Sequence, residues 1–461
     1  MRIKKLLLLA VGFFVSSTLL AAVDNIKISG DINIDAVVRN LSLGLTGAKH
    51  PSLAPGQQVK DKENFIVSQV RLRFDADLTE DVSATVRLLN ERVWGAESSA
   101  NTDLDLDLAY VDLRGFIMPF LNLKVGRQEI RFGNGFIIGD PYTNRSTSSG
   151  SVLYQLADDI SLRKSFDAIR ATLDLEPWTV DLVYAKVYEG ATQTDDDINL
   201  YGINVNYSPA DETTIEGYFF AKDKAPELYS LPASTAYVQD EESKVYCVGS
   251  RIKKDLNKKL TLNLEVAHQF GDYRGPLGAY HSHRDAYGAQ VGLDYKFLNK
   301  AYSILGFWYT YLSGDADDYG KLGGQAGRKF TGWDPMFEDQ TGGELINLIL
   351  PQTNSHTIVV YFFTYLGKNV NMLLRFTDQM LVKNYFSNRY AIAEGPAYGN
   401  YYYLDAKNKH IGDELDCKIT FDYSENSKFI LDGAVFFPGG GLASENDNVV
   451  YGVTGSVKIS F

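Results

Sequence analysis

Basic and apolar side chains alternate along one short stretch of the sequence. Arg71 and Arg73 lie between Val70, Leu72 and Phe74. In an extended strand, successive side chains point to opposite faces, so the two guanidinium groups share one face and the apolar side chains share the other. A guanidinium group is a permanent positive charge with several N–H donors, so a row of them attracts carboxylates and phosphates. The stretch therefore predicts an anion-attracting face backed by an apolar one.

Other segments carry basic residues in the same alternation. Lys124, for example, stands between Leu123 and Val125. Such residues predict an arc of positive charge that several strands build together. The basic residues that we assign to this polar face are Arg71, Arg73, Arg87, Lys124, Arg170 and Arg375.

Carboxylates occupy the polar face of other segments. Most of them lie near the two ends of the chain, whereas Asp105 and Asp107 interrupt the basic segments. The acidic residues that we assign to the polar face are Asp31, Asp35, Asp105, Asp107, Glu414, Asp416, Asp422 and Asp432.

Motifs for catalysis and metal binding are weak. His281 and His283 have a spacing that could hold a metal ion, but they lie in a polar stretch, and a solvated loop is the simpler interpretation. The acidic runs 195–197 and 315–318 could bind divalent cations beside lipopolysaccharide, yet runs of like charge are usually solvated. The chain contains no G-x-S-x-G motif. We therefore predict no enzyme activity, no cofactor and no metal site.

The elements that carry the charged residues are strands. Residues 449–461 alternate between apolar side chains and polar or small ones, and they end on the aromatic Phe461. Residues 26–39 show the same pattern. Matched strands at the two ends of a chain are typical of a closed barrel, in which the first and last strands pair. The terminal Phe461 also resembles the signal by which barrel-insertion machinery recognises outer-membrane barrels.

Short and long connections alternate between these two strands. Eight short turns and nine long polar loops join about eighteen strands, an even number that puts both termini on the side of the short turns. A soluble β-sandwich shows similar alternation, but long strands, aromatic residues near strand ends and unequal connections disfavour it. The sequence predicts an all-β protein: a transmembrane antiparallel β-barrel with short periplasmic turns and long extracellular loops.

Closure of the barrel would bring the acidic strands from the two chain ends side by side, with the basic strands elsewhere around the wall. The sequence thus predicts a lumen with a basic wall and an acidic wall, whose transverse field sorts solutes by charge and dipole. The alternative is that the inward charges pair with one another and solvate a water-filled wall.

The chain begins with an export signal. Three basic residues precede an apolar run of about ten residues, which is too short to span a bilayer, and a small-residue cleavage site ends at Ala22. We expect residues 1–22 to be a cleaved signal peptide and residues 23–461 to form the barrel. Loss of the three basic residues lowers the net charge from −13 to −16. An acidic chain without a basic stripe argues against nucleic acid as a partner.

The two cysteines are not expected to form a disulfide. Strand alternation places Cys417 with Leu415 on the apolar face and Cys247 with Gly249 on the polar face. They also fall on strands far apart in the barrel, whereas a disulfide needs Cα atoms within about 7 Å of each other.

Residues 124–170 carry motifs that resemble the alginate-export family of outer-membrane porins. The chain reads K-V-G-R-Q-E at 124–129, R-F-G-N-G at 131–135 and R-K-S-F-D-A-I-R at 163–170. These segments are similar to the family's G-R-Q segment, G-x-G turn and R-S-F-D-A-[VI]-R segment, in that order. Near the C-terminus, I-G-D-E-L-D at 411–416 and F-F-P-G at 436–439 also resemble the family's closing strands.

The resemblance implies an eighteen-stranded barrel with an arginine-rich pore that conducts an anionic polysaccharide, a polyuronate in the family's named case. It adds Arg127 and Arg163 to the candidate pore-lining residues and supports Arg170. Strict alternation would place Arg127 and Asp167 on the lipid-facing side. A bulge at Gly126, or a position above the hydrocarbon band, would accommodate them.

The sequence therefore predicts a passive channel of a bacterial outer membrane for a hydrophilic solute that is anionic or a saccharide. A general diffusion porin without a dedicated solute is the alternative, and an outer-membrane hydrolase or an adhesin is less favoured. The expected surroundings are outer-membrane lipid and lipopolysaccharide.

Overall fold

The computed structural model describes thirteen ranges of the chain, and the expected signal peptide, residues 1–22, lies outside them. No helix in the described ranges is long and apolar enough to cross a bilayer. The described ranges are 25–41, 62–95, 104–141, 160–189, 197–225, 228–230, 237–239, 243–274, 281–315, 329–349, 352–384, 407–442 and 447–461.

Eighteen long strands form a closed antiparallel barrel, as the sequence predicts. Each strand pairs with the next barrel strand along the chain, and the last pairs with the first. The barrel strands are β1 (Asn25–Asn40), β2 (Lys62–Asp77), β3 (Val82–Val93), β4 (Asp105–Leu113), β5 (Leu121–Glu129), β6 (Ser165–Leu175), β7 (Trp178–Tyr188), β8 (Ile198–Ala210), β9 (Thr213–Lys224), β12 (Ser243–Asn257), β13 (Leu260–Arg274), β14 (His281–Lys296), β15 (Ile304–Leu312), β17 (Ser355–Tyr365), β18 (Val370–Leu381), β19 (His410–Ser424), β20 (Ser427–Pro438) and β21 (Val450–Ser460).

Four short elements lie outside the barrel ladder. β10 (Leu228–Ser230) and β11 (Tyr237–Gln239) form a separate hairpin, and β16 (Lys329–Phe330) runs parallel to β14. A single helical turn, α1, spans Ile346–Ile349.

The barrel closes between β1 and β21. Their register runs from Asp31 opposite Ser460 to Asn40 opposite Tyr451. Just before it, Gly30 and Phe461 exchange two backbone hydrogen bonds of 2.9 and 3.0 Å. In a bilayer no water satisfies a free backbone N–H or C=O, so this seam removes the two edges that an open sheet would expose.

The two faces of the sheet differ in polarity in the way a membrane barrel requires. On the outer face apolar side chains such as Val453 and Leu415 are exposed, whereas on the inner face polar ones such as Asn33 are buried. The cysteines follow this alternation, since Cys247 is buried and Cys417 is partly exposed, and both are free thiols. A soluble protein would show the reverse distribution.

The connections alternate in length around the barrel as the sequence predicts. Short turns such as Asp77 to Val82 and Leu175 to Trp178 lie at one end, here called the turn end, together with the start of β1 and the end of β21. The long connections leave from the opposite end, here called the loop end.

Two stretches that the sequence assigns to external loops fold inward instead. The first lumenal segment is residues 130–141 and the second is residues 330–349. They are linked by backbone hydrogen bonds from Gly139 to Phe337 (2.7 Å) and from Asp339 to Gly135 (2.8 Å).

Apolar packing fixes the two lumenal segments against strands β6 to β15. Phe136 stacks on Trp333, and both segments share one buried cluster with inward residues such as Ala185 and Phe220. The expectation that the inner face is polar throughout is therefore wrong on this side. Alternation shows which residues point inward, but it does not show that an apolar segment from elsewhere in the chain covers them.

Substitution of Gly30 should weaken closure of the barrel. A Cβ at Gly30 would lie 2.6 Å from the Arg71 backbone oxygen and 2.7 Å from the Phe461 ring, so the seam must shift. We expect Gly30→Ala to cost about 1–3 kcal/mol of stability. Gly455→Ala is the matched control, because a Cβ there meets nothing within 4 Å. Urea titration read by heat-modifiable gel mobility should show a lower midpoint for Gly30→Ala alone, and equal midpoints would contradict this account.

Candidate functional site

Predicted basic residues on β2 face the lumen beside carboxylates. Arg71 Nε lies 3.0 Å from both carboxylate oxygens of Asp31, its register partner on β1. Arg73 donates two hydrogen bonds of 2.8 Å to Asp75, two residues further along the same face. The Arg71 and Arg73 side chains keep 25% and 37% of their surface exposed, so their guanidinium groups are paired and still open to the lumen.

Arg87 on β3 lies deeper and links three strands. Its Nε donates to Asp107 on β4 over 2.5 Å, and its Nη2 contacts Glu129 at the end of β5. Asp107 also accepts a hydrogen bond from Ser165 of β6, over 3.2 Å. Arg87 and Asp107 are buried, so they hold the wall together and do not present free charge to a solute.

Lys124 and Arg170 continue the wall on β5 and β6. Lys124 Nζ lies 3.6 Å from Asp112 and 4.6 Å from the centre of the Tyr110 ring. Arg170 donates to Asp181 over 2.7 Å, and its guanidinium carbon lies 5.3 Å from the ring centre of Phe132 in the first lumenal segment. Arg170 therefore contacts both the wall and the segment that narrows the lumen.

Arg163 and Asp105 meet where the chain enters β6. Arg163 contacts Asp105, and its Nε lies 3.3 Å from Glu91. Glu91 also accepts hydrogen bonds from the Leu162 backbone N–H (2.9 Å) and from Gln69 (2.7 Å). Glu91, which the sequence does not single out as a site residue, thus ties residues 162–163 to the inner face of β2 and β3.

The last strands carry a second group of pairs. Arg375 Nε lies 2.7 Å from Asp416, its register partner, and its Nη2 lies 3.0 Å from Glu344 of the second lumenal segment. Beside them, Lys418 Nζ lies 2.6 Å from Asp432. Arg375 and Asp416 are largely shielded, whereas Glu344 is exposed to the lumen.

Glu414 anchors the second lumenal segment and does not line the lumen. It is fully buried and accepts three hydrogen bonds from the backbone N–H groups of Glu344, Leu345 and Ile346, at 2.6, 2.8 and 2.6 Å. These N–H groups precede or begin α1 and have no partner within the helix. Both carboxyl oxygens of Glu414 accept from these donors, so Glu414 fixes the segment to β19.

The predicted division into a basic wall and an acidic wall is not what the structure shows. Arg71 stands opposite Asp31, Arg375 opposite Asp416, and Lys418 opposite Asp432 in the sheet register. Cross-strand neighbours have Cβ atoms only about 5 Å apart, so opposite charges there pair directly. Register, which the pattern of single strands does not reveal, distributes both signs around the lumen.

Arg127 faces outward, which corrects its assignment to the lumen. It pairs with Asp167 across β5 and β6 through hydrogen bonds of 2.8 and 2.7 Å, and it donates to the Leu106 carbonyl over 3.0 Å. The ladder runs through Gly126 without a register shift, so no bulge reverses the alternation. Arg127 stands two residues from the loop end of β5, which agrees with the other expectation, a place above the hydrocarbon band.

The lumenal segments add charged residues that sequence reasoning missed. Asp339 contacts both Arg131 and Lys164, the latter over 2.6 Å. Arg131 and Lys164 remain 47% and 42% exposed. Both cations lie in the segments that resemble the alginate-export family, and no other feature of the sequence points to them. Asp339 gave no signal, because it lies in a stretch assigned to an external loop.

Two buried carboxyl groups in the second lumenal segment, Glu338 and Asp334, have pKa values that are shifted in opposite directions. Burial raises the pKa of Glu338 to about 8; Asp140 adds to this effect, while the Gln340 N–H, Lys164 and Arg131 oppose it. Burial also disfavours ionised Asp334, but Lys222 and Arg284 outweigh it and hold its pKa at about 2. Near neutral pH Glu338 is therefore a neutral acid, whereas Asp334 is a carboxylate bound by two cations.

These features define a class of protein. A closed eighteen-stranded barrel with an apolar outer face, a charged inner face and inward-folded segments is a porin-type channel of the outer membrane. The alginate-export family profile matches residues 53–454, and the chain belongs to that family. No curated protein sequence matches the chain.

Solved structures share the fold at low sequence identity. Pseudomonas aeruginosa OccD3 (OpdP) is 12% identical, with a TM-score of 0.55, and the match covers 95% of this chain and 92% of that one. Pseudomonas aeruginosa OccK3 (OpdO) is 11% identical, with a TM-score of 0.55 and coverages of 96% and 97%. Acinetobacter baumannii OccAB2 is 10% identical, with a TM-score of 0.56 and coverages of 96% and 99%.

Docking of the second lumenal segment should depend on pH through Glu338. An exposed glutamate titrates near 4.5 and the docked group near 8, so docking is strongest below pH 4.5, weakens between 4.5 and 8, and changes no further above 8. We expect roughly a tenfold loss in the docking equilibrium per pH unit in that window. Single-channel recordings should show conductance transitions that become more frequent as the pH rises from 5 to 8.

Glu338→Gln should weaken this dependence, because glutamine mimics the neutral acid. Asp334 does not contribute in the same window, since its pKa of about 2 keeps it ionised throughout. A Glu338→Gln channel with the wild-type pH dependence would assign the effect to another group.

Proposed function

We propose that the protein is a passive outer-membrane channel for a hydrophilic, anionic solute, with a saccharide carboxylate as the favoured class. The observation that carries this proposal is the convergence of two half-exposed cations, Arg131 and Lys164, on the single carboxylate Asp339. Arg131 and Asp339 lie on the two lumenal segments that fold into the barrel, and Lys164 lies beside them, just before β6. The N–H groups of Arg131 and Lys164 that Asp339 leaves exposed can donate hydrogen bonds to a solute carboxylate that passes this point.

The membership of the alginate-export family supports a uronate-like solute. A polyuronate carries one carboxylate and several hydroxyl groups on each sugar ring. The paired charges around Arg71, Arg73 and Arg375 offer both donors and acceptors to such hydroxyls along the wall. Passage of this kind needs no catalysis, only successive weak contacts that form and break.

A general diffusion porin is the second candidate, and the pairing of charges favours it. Each predicted lumenal cation has a carboxylate neighbour, for example Asp31 for Arg71 and Asp112 for Lys124. A wall of neutralised pairs conducts small polar solutes of either sign. The two candidates differ in whether conduction saturates with one solute class.

The orientation and surroundings follow from the same proposal. The turn end and both termini would face the periplasm, and the loop end would face the outside, where lipopolysaccharide surrounds the barrel. Phe461, whose backbone completes the seam with Gly30, would be the residue read by the insertion machinery.

Solute binding tests the proposal directly. In planar bilayers, a uronate oligomer should reduce the ionic conductance of the wild-type channel saturably, whereas a neutral oligosaccharide of equal length should not. Arg131→Gln combined with Lys164→Gln should raise the half-saturating uronate concentration about tenfold or more, at ~1 kcal/mol for each cation. Linear behaviour of the wild type with both oligomers would support the general porin instead.

Ion selectivity tests the wider arc of basic residues. Replacement of Arg71, Arg73 and Arg170 by Ala removes the arginine partners of Asp31, Asp75 and Asp181, so permeability should shift toward cations by about tenfold or more. High salt should reduce the shift, because the Debye length falls to ~3 Å at 1 M. Reversal potentials in a salt gradient measure both effects.

Arg127→Gln is the control for this series. It removes one arginine charge from the outer face, so its reversal potential should equal that of the wild type. If the triple variant also matches the wild type, the basic arc does not influence the permeating ions.

A further inference from the structure

Three side chains that could bind a metal ion meet on the outer face, at the loop end of β18 and β19. His410 Nε2 lies 3.0 Å from Asp378 Oδ2 and 3.5 Å from Asp413 Oδ2. One ligand atom from each residue falls within 4.8 Å of the others. The cluster lies outside the lumen, and the proposed transport function does not use it.

A break in strand pairing brings His410 to this face. His410 and Asp413 are three residues apart, so in a regular strand they would point to opposite sides of the sheet. The β18–β19 register shifts between Gln379 and Met380, and Met380 pairs with His410. Bulges of this kind re-aim side chains near functional sites.

Gly412 makes the break possible. Its φ is +153°, and a Cβ there would lie 2.6 Å from the Phe436 ring and would also meet the Phe437 backbone oxygen. The same G-D-E segment that carries Glu414 on the inner face thus carries Asp413 on the outer face. The local backbone is therefore built to hold this arrangement.

The charge balance of the cluster differs from that of an ordinary ion pair. Two carboxylates share one imidazole, and within the described ranges no Lys or Arg nitrogen lies within 4.0 Å of either carboxylate. A comparable pair elsewhere shows the contrast. His268 lies 2.9 Å from one oxygen of Asp285, and the other oxygen is bound by Lys329 at 2.7 Å. The outer-face cluster contains a second carboxylate near the imidazole in addition to the first.

The geometry points to a binding site for a divalent transition-metal ion such as Zn²⁺, with Asp378, His410 and Asp413 each supplying one ligand atom. Ligands about 2.1 Å from a tetrahedral ion lie about 3.4 Å from one another, close to the separations from His410 to both carboxylates. Water would complete the coordination on the outward side. One histidine with two carboxylates suits Zn²⁺ better than Ca²⁺, which binds oxygen ligands.

The position of the site gives the ion a structural role. Phe376 and Leu415 are exposed on the outer face of the same two strands, within two residues of the cluster, so the ion would sit at the loop-end margin of that apolar surface. It would join β18 to β19 where the hydrogen-bond ladder is interrupted. The site is not detectable as a sequence motif, because Asp378 lies on β18 whereas His410 and Asp413 lie on β19, beyond a long connection.

Zinc titration of the full mature chain in detergent, after chelator treatment, tests the site. Calorimetry should show one Zn²⁺ per chain, with affinity reduced at least tenfold in His410→Gln, Asp413→Asn and Asp378→Asn. Zn²⁺ should also raise the unfolding temperature of the wild type and not that of these variants. Heat-modifiable gel mobility shows whether each variant is folded. Because the three residues are substituted separately, two variants still test the site if one does not fold.

His268→Gln is the matched control, and it should bind Zn²⁺ as the wild type does. His283→Gln tests whether the histidine pair at 281 and 283 binds Zn²⁺ in place of this site. The inference is overturned if the wild type binds no Zn²⁺ below about 1 mM. It is also overturned if the three variants bind as tightly as the wild type, or if only His283→Gln abolishes binding.

Discussion

In the hydrocarbon region of a bilayer, an unpaired backbone N–H or C=O costs several kcal/mol, because no water is present to satisfy it. A sheet meets this demand only by closing, and here the seam between β1 and β21 does so over ten register pairs. Closure fixes which strands are neighbours and which face is outside. The apolar outer surface and the charged inner surface both follow from that geometry. The seam also requires Gly30, because the Phe461 ring leaves no room for a Cβ there.

Cross-strand register decides how the lumenal charges behave. Because Arg71 faces Asp31 and Arg375 faces Asp416, cations in the wall are neutralised by direct neighbours. The wall is consequently stable despite its high charge, and solutes meet ion pairs with open edges. A solute carboxylate can bind the N–H groups of a guanidinium that its wall carboxylate leaves open, so that the wall pair stays intact. A mixed wall therefore suits weak and repeated contacts with a hydrated solute.

The lumenal segments make the interior asymmetric. Their apolar side chains cover the inner face of β6 to β15, where residues such as Phe220 and Leu200 would otherwise meet water. Buried Glu414 holds the second segment through three backbone N–H groups, so a carboxylate expected to line the pore positions the segment that narrows it. Arg131 on the first segment and Lys164 beside it, just before β6, remain about half exposed.

Local alternation and the lengths of connections were sufficient for the sequence to determine an eighteen-stranded barrel, the inward direction of Arg71 and the outward direction of Cys417. These features depend on the period of a strand, which each segment expresses by itself. Only the tertiary structure decided which charges are partners, such as Arg127 and Asp167, and the inward course of residues 330–349. Those features depend on register and on packing between segments that are distant in sequence. The period of a single strand contains no information about either.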